Sequence, residues 1–239
     1  MNPPQFNPQA YNYATQSTFA SRISQIMKRV YVNMTLALVV TALVSILCQN
    51  PAYINFMVNN SWFMWVLIIA EFGIVIGVSA GIRKLSTATA SLLFYLFAIV
   101  NGLLLSPVFM IYTETSIAKT FFITAGTFAA MSIYGFCTNR DLTKFGNLLF
   151  MALIGLIIAS LVNMFIPGEN ATFNWIISIL GVLIFVGLTA WDTQQIKNMA
   201  TVAPDAAVGR LAVLGALSLY LDFINLFLYL LRIFGSTRD

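Results

Sequence analysis

Residues 208–231 read VGRLAVLGALSLYLDFINLFLYLL, and this stretch decides the fold. Its only charges are Arg210 near the start and Asp222 in the middle. As a helix it would reach about 36 Å, more than the hydrocarbon thickness of a bilayer. A carboxylate in the middle of such a span costs about 2.5–3.5 kcal/mol on insertion scales, so it marks a pathway, a proton site or an ion pair. Ser218, Asp222, Asn225 and Tyr229 recur at i, i+4, i+7 and i+11. That spacing draws one polar stripe along a helix, and the stripe must face protein or water rather than lipid. The last span is therefore expected at the centre of a bundle.

Working outward, six further segments are long and apolar enough to cross a membrane: 30–48, 62–82, 88–112, 120–137, 145–166 and 173–191. Asn50-Pro51, Pro167-Gly168 and Pro204-Asp205 supply turn signals between them. Of the 239 residues, 59% are hydrophobic and 8% charged, about a third of the usual charged fraction. The reading is an all-α integral membrane protein with seven transmembrane helices. Residues 1–21, rich in Asn, Gln, Pro and Tyr without an apolar core, read as a disordered cytoplasmic tail rather than a signal peptide. Residues 22–235 form the transmembrane domain, and 236–239 a short C-terminal tail.

Lys and Arg set the orientation. Arg22, Lys28, Arg29, Arg83, Lys84, Arg140, Lys144, Lys197 and Arg210 fall on one side, and Lys119 alone in the loops of the other. The N-terminus is thus expected in the cytoplasm. Arg232 and Arg238 then dissent mildly, unless the last segment is re-entrant. Cys48 and Cys137 fall at opposite faces, too far apart for a disulfide, and are expected to be buried as small apolar residues.

Acids inside the spans are the candidate functional residues. Asp192 shares a helix face with Thr189, and if Lys197 marks the membrane interface it lies about 8 Å inside; Asp222 lies about 16 Å in by the same rise. Tilt and side-chain length could close that gap. If the two carboxyls meet, they cannot both ionise cheaply, and they titrate as a unit. Such a pair is also an oxygen-rich spot for a hard cation such as Ca²⁺. Glu71, with Ser218 and Asn225, is a candidate to line a pore or cavity. Arg83 and Lys84 end the second span at the level of Asp192, where an ion pair could close the inner mouth. The plainer readings are helix-to-helix hydrogen bonding for Asp222 and a solvated helix end for Asp192. Gly73, Gly77 and Gly81, spaced four apart, suggest close helix packing.

The absence of histidine removes Ser-His and Cys-His catalysis, histidine metal sites and histidine pH sensing. No Walker loop, CxxC or Gly-x-Gly-Asp context occurs. An enzyme is not expected, nor a cofactor, nor nucleic-acid binding by basic residues scattered between spans.

The stretch ALSLYLDFINLFLYLLRIFG, residues 216–235, closely resembles the signature of the Bax-inhibitor family, also called the transmembrane Bax inhibitor motif family. AWDTQQIK (190–197) and FAIVNGLLLSP (97–107) resemble its sixth and third spans. The resemblance implies six helices around a central seventh and a pH-sensitive calcium leak channel. It places the pH sensor on Asp192 and Asp222, the basic gate partner on Arg83, or Lys84 with a one-residue shift, and a pore group on Glu71. The chain lacks the lysine-rich C-terminal tail of animal members, which suits a bacterial inner-membrane protein. Calcium ions, protons and the lipid bilayer are the implied partners. A shut state held by Arg83 on ionised Asp192 would weaken in acid; if permeation needs ionised carboxylates, the sign reverses. Two alternatives stay open: a proton-coupled cation exchanger, and an interaction protein that regulates a membrane protease or a cell-death partner.

Overall fold

The structure, a computed structural model, describes residues 8–165 and 171–238. Its helices are α1 (Pro8–Leu47), α2 (Pro51–Asn59), α3 (Ser61–Gly81), α4 (Thr87–Ile111), α5 (Glu114–Cys137), α6 (Thr143–Phe165), α7 (Ala171–Val202) and α8 (Val208–Phe234), with a 3₁₀ turn at Asp205–Ala207 before the last. Seven of these are long and apolar enough to span a bilayer. The seven expected spans are all present.

Helix α8 forms the core of the bundle. Its most apolar window is 72% buried, against 11% for α3 and α6. It packs against α7, α1, α5 and α4, whereas α3 leans on α4 and α6 on α7. The expected ring of six is therefore two layers, four helices on α8 and two outside them. The outer two turn large apolar side chains outward, as lipid-exposed helices do: Trp65, Ile69, Phe72 and Ile76 of α3 all point outward.

Local chemistry sets the helix ends. Asn50 accepts a hydrogen bond from the Ala52 amide and Pro51 opens α2, the N-cap and first-turn proline arrangement. Ser86 and Thr113 cap α4 and α5 in the same way. Asp141, in the loop before α6, accepts from the Thr143 amide at 2.9 Å. Hydrogen bonds from Thr143 hold the Asp141 carboxyl below its ordinary range.

Pro107 lies inside α4 and removes the amide that would bond the Leu103 carbonyl. That carbonyl is satisfied instead by Ser106 Oγ at 2.8 Å and by Tyr53 Oη of α2 at 3.2 Å. Burial pushes the Tyr53 hydroxyl above its ordinary value, which keeps it a donor. The short helix α2, which hydropathy does not reveal, thus docks on a proline-made defect.

Helix α8 starts beside the α3–α4 turn, where Arg210 Nη1 donates to the Arg83 carbonyl at 2.8 Å. It ends beside the α4–α5 turn, where Thr237 bridges Tyr112 and Arg238 Nη2 donates to Glu114 Oε1 at 3.1 Å. These turns lie at opposite ends of α4, so α8 crosses the bundle completely and is not re-entrant.

Three expectations change. The tail expected to be disordered over 1–21 is helical from Pro8 onward, because extending a formed helix costs far less than nucleating one; residues 1–7 lie outside the described ones. Both cysteines are free, as expected, but Cys48 is only part-buried and Cys137 is exposed. A Cβ on Gly73 or Gly77 would meet open space, so that glycine row seats no helix. The close approaches lie elsewhere: Gly102 against Thr41 and Val44 of α1, Gly135 against the Ala190 backbone of α7, and Gly181 against the Tyr229 ring.

Candidate functional site

Helix α7 does not stop at Lys197. Ile196 and Ala200 are buried at 1% and 0% exposure, so their packing carries the helix on to Val202. Gly215 of α8 helps, since a Cβ there would stand 3.0 Å from the Ile196 side chain. Asp192 is thus ten residues from the end of α7, and Asp222 fourteen from the start of α8. The mismatch in depth shrinks to about 6 Å, and the two carboxyl groups meet.

They lie beside each other, and Ser218, one turn before Asp222 on α8, neighbours Asp192 as well. No donor reaches Asp222 Oδ2, which is buried. Ionised carboxylates only accept hydrogen bonds, so a bond between two of them requires a proton on one. Two carboxyl groups this close can share one proton, and their oxygens are of the kind that ligates hard cations. Among the described residues no group of three or more Asp, Glu or Cys gathers there or elsewhere, so a cation held here would keep much of its water.

Neighbouring contacts hold Asp192 in position. Gly135 of α5 meets the Ala190 backbone directly, and Gly146 of α6 meets the Trp191 ring. Gln194 clamps the α5–α6 loop: its Oε1 accepts from the Leu142 amide at 2.9 Å and its Nε2 donates to the Arg140 carbonyl at 2.8 Å. Lys197 Nζ donates to the Phe136 carbonyl at 2.6 Å, near the end of α5, where a cation meets the negative end of the helix dipole.

Glu71 does not join the carboxyl pair. Its Oε1 accepts from Asn101 Nδ2 at 2.6 Å, and Asn101 Oδ1 accepts from the Tyr220 hydroxyl at 3.2 Å. The Tyr220 hydroxyl lies 2.6 Å from Thr41 Oγ1, which donates to the Ala98 carbonyl at 2.9 Å. This chain of contacts crosses α3, α4, α8 and α1. Asn225 lines a polar cavity of about 310 Å³ between α6, α7 and α8, with Ser160, Asn163, Asn174, Tyr229 and Arg232. That cavity ends one turn short of Asp222. Tyr229, the last member of the polar stripe, stacks on Phe185 at 5.9 Å and packs on Gly181.

The side chains of Arg83 and Lys84 are exposed. Among the described residues no ion pair joins either to Asp192; the pair that forms is Arg238 with Glu114. Thr41, Asn101, Tyr220 and Gln194 escaped the sequence reading. Their signals were a lone amide in an apolar run for Asn101 and a Thr41–Ser45 pair spaced four apart.

The match of this chain to known proteins covers both sides of the carboxyl pair. Residues 23–239 match the family described as "Inhibitor of apoptosis-promoting Bax1". The chain belongs to the Bax-inhibitor family. It is 49% identical over 216 residues to "Inner membrane protein YbhL" of Escherichia coli strain K12, covering 89% of this chain and 92% of that protein. It is 43% identical over 223 residues to "Uncharacterized protein RP147" of Rickettsia prowazekii, covering 93% and 94%. It is also 45% identical over 219 residues to an uncharacterized protein of Borreliella burgdorferi, covering 90% and 94%. The stretches that carried the resemblance to the Bax-inhibitor family have distinct structural jobs. AWDTQQIK supplies Asp192 and the Gln194 clamp, and the last stretch supplies Asp222 and Ser218. FAIVNGLLLSP builds the α1–α4 seam through Gly102 and the Ser45 bond to its carbonyl at 2.9 Å, and its Asn101 ties α4 to Glu71 of α3 and Tyr220 of α8.

Proposed function

We propose that this chain is a gated leak pathway for cations, calcium foremost, with Asp192 and Asp222 as its proton-sensing gate. The single observation that carries the reading is the meeting of two carboxyl groups inside the bundle, one with a buried oxygen that no donor reaches. In the shut state one shared proton joins α7 to α8. Loss of that proton leaves two like charges side by side, which drives the helices apart or recruits a cation between them. A proton held in the shut state and released on opening makes the shut state the acid form. Flux should therefore rise with pH. The polar cavity ending at Asn225 would be the approach from the far side. The excess of Lys and Arg at the N-terminal end supports a cytoplasmic N-terminus, and the resemblance to a protein named for the inner membrane supports a bacterial inner membrane as its location.

The test is calcium flux into proteoliposomes between pH 5 and 8, for the parent, Asp192→Asn and Asp222→Asn. The expected result is a pH-dependent flux that either substitution flattens. A flux that collapses without a proton gradient would move the reading to an exchanger. No flux above empty vesicles from any of the three would remove the transport reading, leaving the pair as a bond between helices.

A further inference from the structure

Helices α1 and α5 both pack on α8, yet they barely touch each other. Between them runs a cleft the length of the membrane, with α8 as its floor. It comprises two apolar cavities of about 540 and 670 Å³ that share Leu38, Phe121 and Phe223 at a waist. The Phe121 and Phe223 rings stand 5.5 Å apart there. The lining of the cleft is mostly apolar along its whole length, a surface suited to flexible hydrocarbon chains.

The two ends of the cleft differ in charge. At the N-terminal end it is lined by Lys28, Tyr31 and Ser24, and at the far end by Glu114 and Gln49. Among the described residues Lys28 forms no ion pair. An ammonium with two hydroxyls offers donors to a phosphate, while the Glu114 carboxylate disfavours an anion at the far end. We propose that the cleft is a binding site for one anionic phospholipid from the leaflet on the N-terminal side. Its headgroup lies against Lys28, and its acyl chains run along α8 past Phe223. The occupant touches the residue next to Asp222 without reaching the carboxyl itself.

The test is native mass spectrometry of the full chain, delipidated in mild detergent and then offered phosphatidylglycerol or phosphatidylcholine. The parent should retain phosphatidylglycerol several-fold better. Lys28→Gln should abolish that preference, while Lys144→Gln, a basic residue of the same end outside the cleft, should leave it intact. Ala129→Phe fills the lower cavity from an exposed position and should reduce retention of both lipids. Equal retention of the two lipids by the parent, or an equal effect of the two lysine substitutions, would overturn the headgroup assignment. No retained lipid, a co-purifying protein in its place, or full retention by Ala129→Phe would overturn the cleft as a lipid site. The readout is independent of flux, so failure of the transport reading leaves it standing.

Discussion

Tyr220 and Asp222 lie two residues apart on α8 and face opposite sides of it. Two steps of a helix turn the side chain by about 200°. Tyr220 therefore meets Thr41 of α1 and Asn101 of α4, while Asp222 meets Asp192 of α7. The central helix carries two separate polar systems: the Glu71 chain of contacts holds α1, α3, α4 and α8 together, and the carboxyl pair joins α7 to α8.

That separation predicts two distinct phenotypes. Tyr220→Phe removes the hydroxyl shared by Thr41 and Asn101 and should destabilise the fold by about 1–3 kcal/mol, the cost of leaving buried groups unpaired. It should leave the pH midpoint of flux unchanged. Asp222→Asn should do the reverse, flattening the pH profile with a smaller loss in melting temperature. Thermal unfolding and flux on the same preparations check both; a shifted midpoint in Tyr220→Phe would mean that the two systems are coupled.

The exposed position of Arg83 predicts that Arg83→Ala keeps both the pH midpoint and the direction of the response. If a shut state depended on Arg83 holding an ionised Asp192, the substitution would open the pathway at neutral pH. Flux measured from pH 5 to 8 distinguishes these outcomes.

Gly135 and Gly77 make a matched pair. A side chain at 135 would drive into the Ala190 backbone, two residues from Asp192, while one at 77 meets open space. Gly135→Leu should cost about 1–3 kcal/mol or more as overpacking and displace Asp192 from its partner. Gly77→Ala should stabilise by about 0.5–1 kcal/mol through helix propensity alone. Melting temperatures in one detergent read both, and a neutral Gly135→Leu would contradict the close crossing of α5 and α7.

Asp141 gives a pH effect outside the spans. Hydrogen bonds from Thr143 lower its carboxyl from its ordinary value, so its support of the α6 start is fully present above that ordinary value. It is lost as pH falls through the lowered one. Asp141→Ala should fray the first turn of α6, seen as faster amide exchange around Lys144 at neutral pH. In strong acid the parent should come to exchange like the variant.

Much of this was legible in the chain itself. The seven spans, the central place of α8 and the need of Asp192 and Asp222 for partners inside the bundle follow from the cost of exposing backbone or charge to hydrocarbon, which acts locally and leaves a mark at each position. Whether the two aspartates meet was not legible, because it depends on where α7 ends, and that is set by the burial of Ile196 and Ala200 against other helices. Glu71 could be flagged as an acid within a span, but its partner is Asn101 on α4, chosen by how α3 leans on that helix. The row of Gly73 and Gly77 looked like a packing face and proved open, while Gly135, unremarkable by spacing, carries a close crossing. Composition and period record how a helix meets its solvent. Which side chains meet across helices is fixed only when the helices choose their neighbours, their depth and their rotation, and those are properties of the whole bundle.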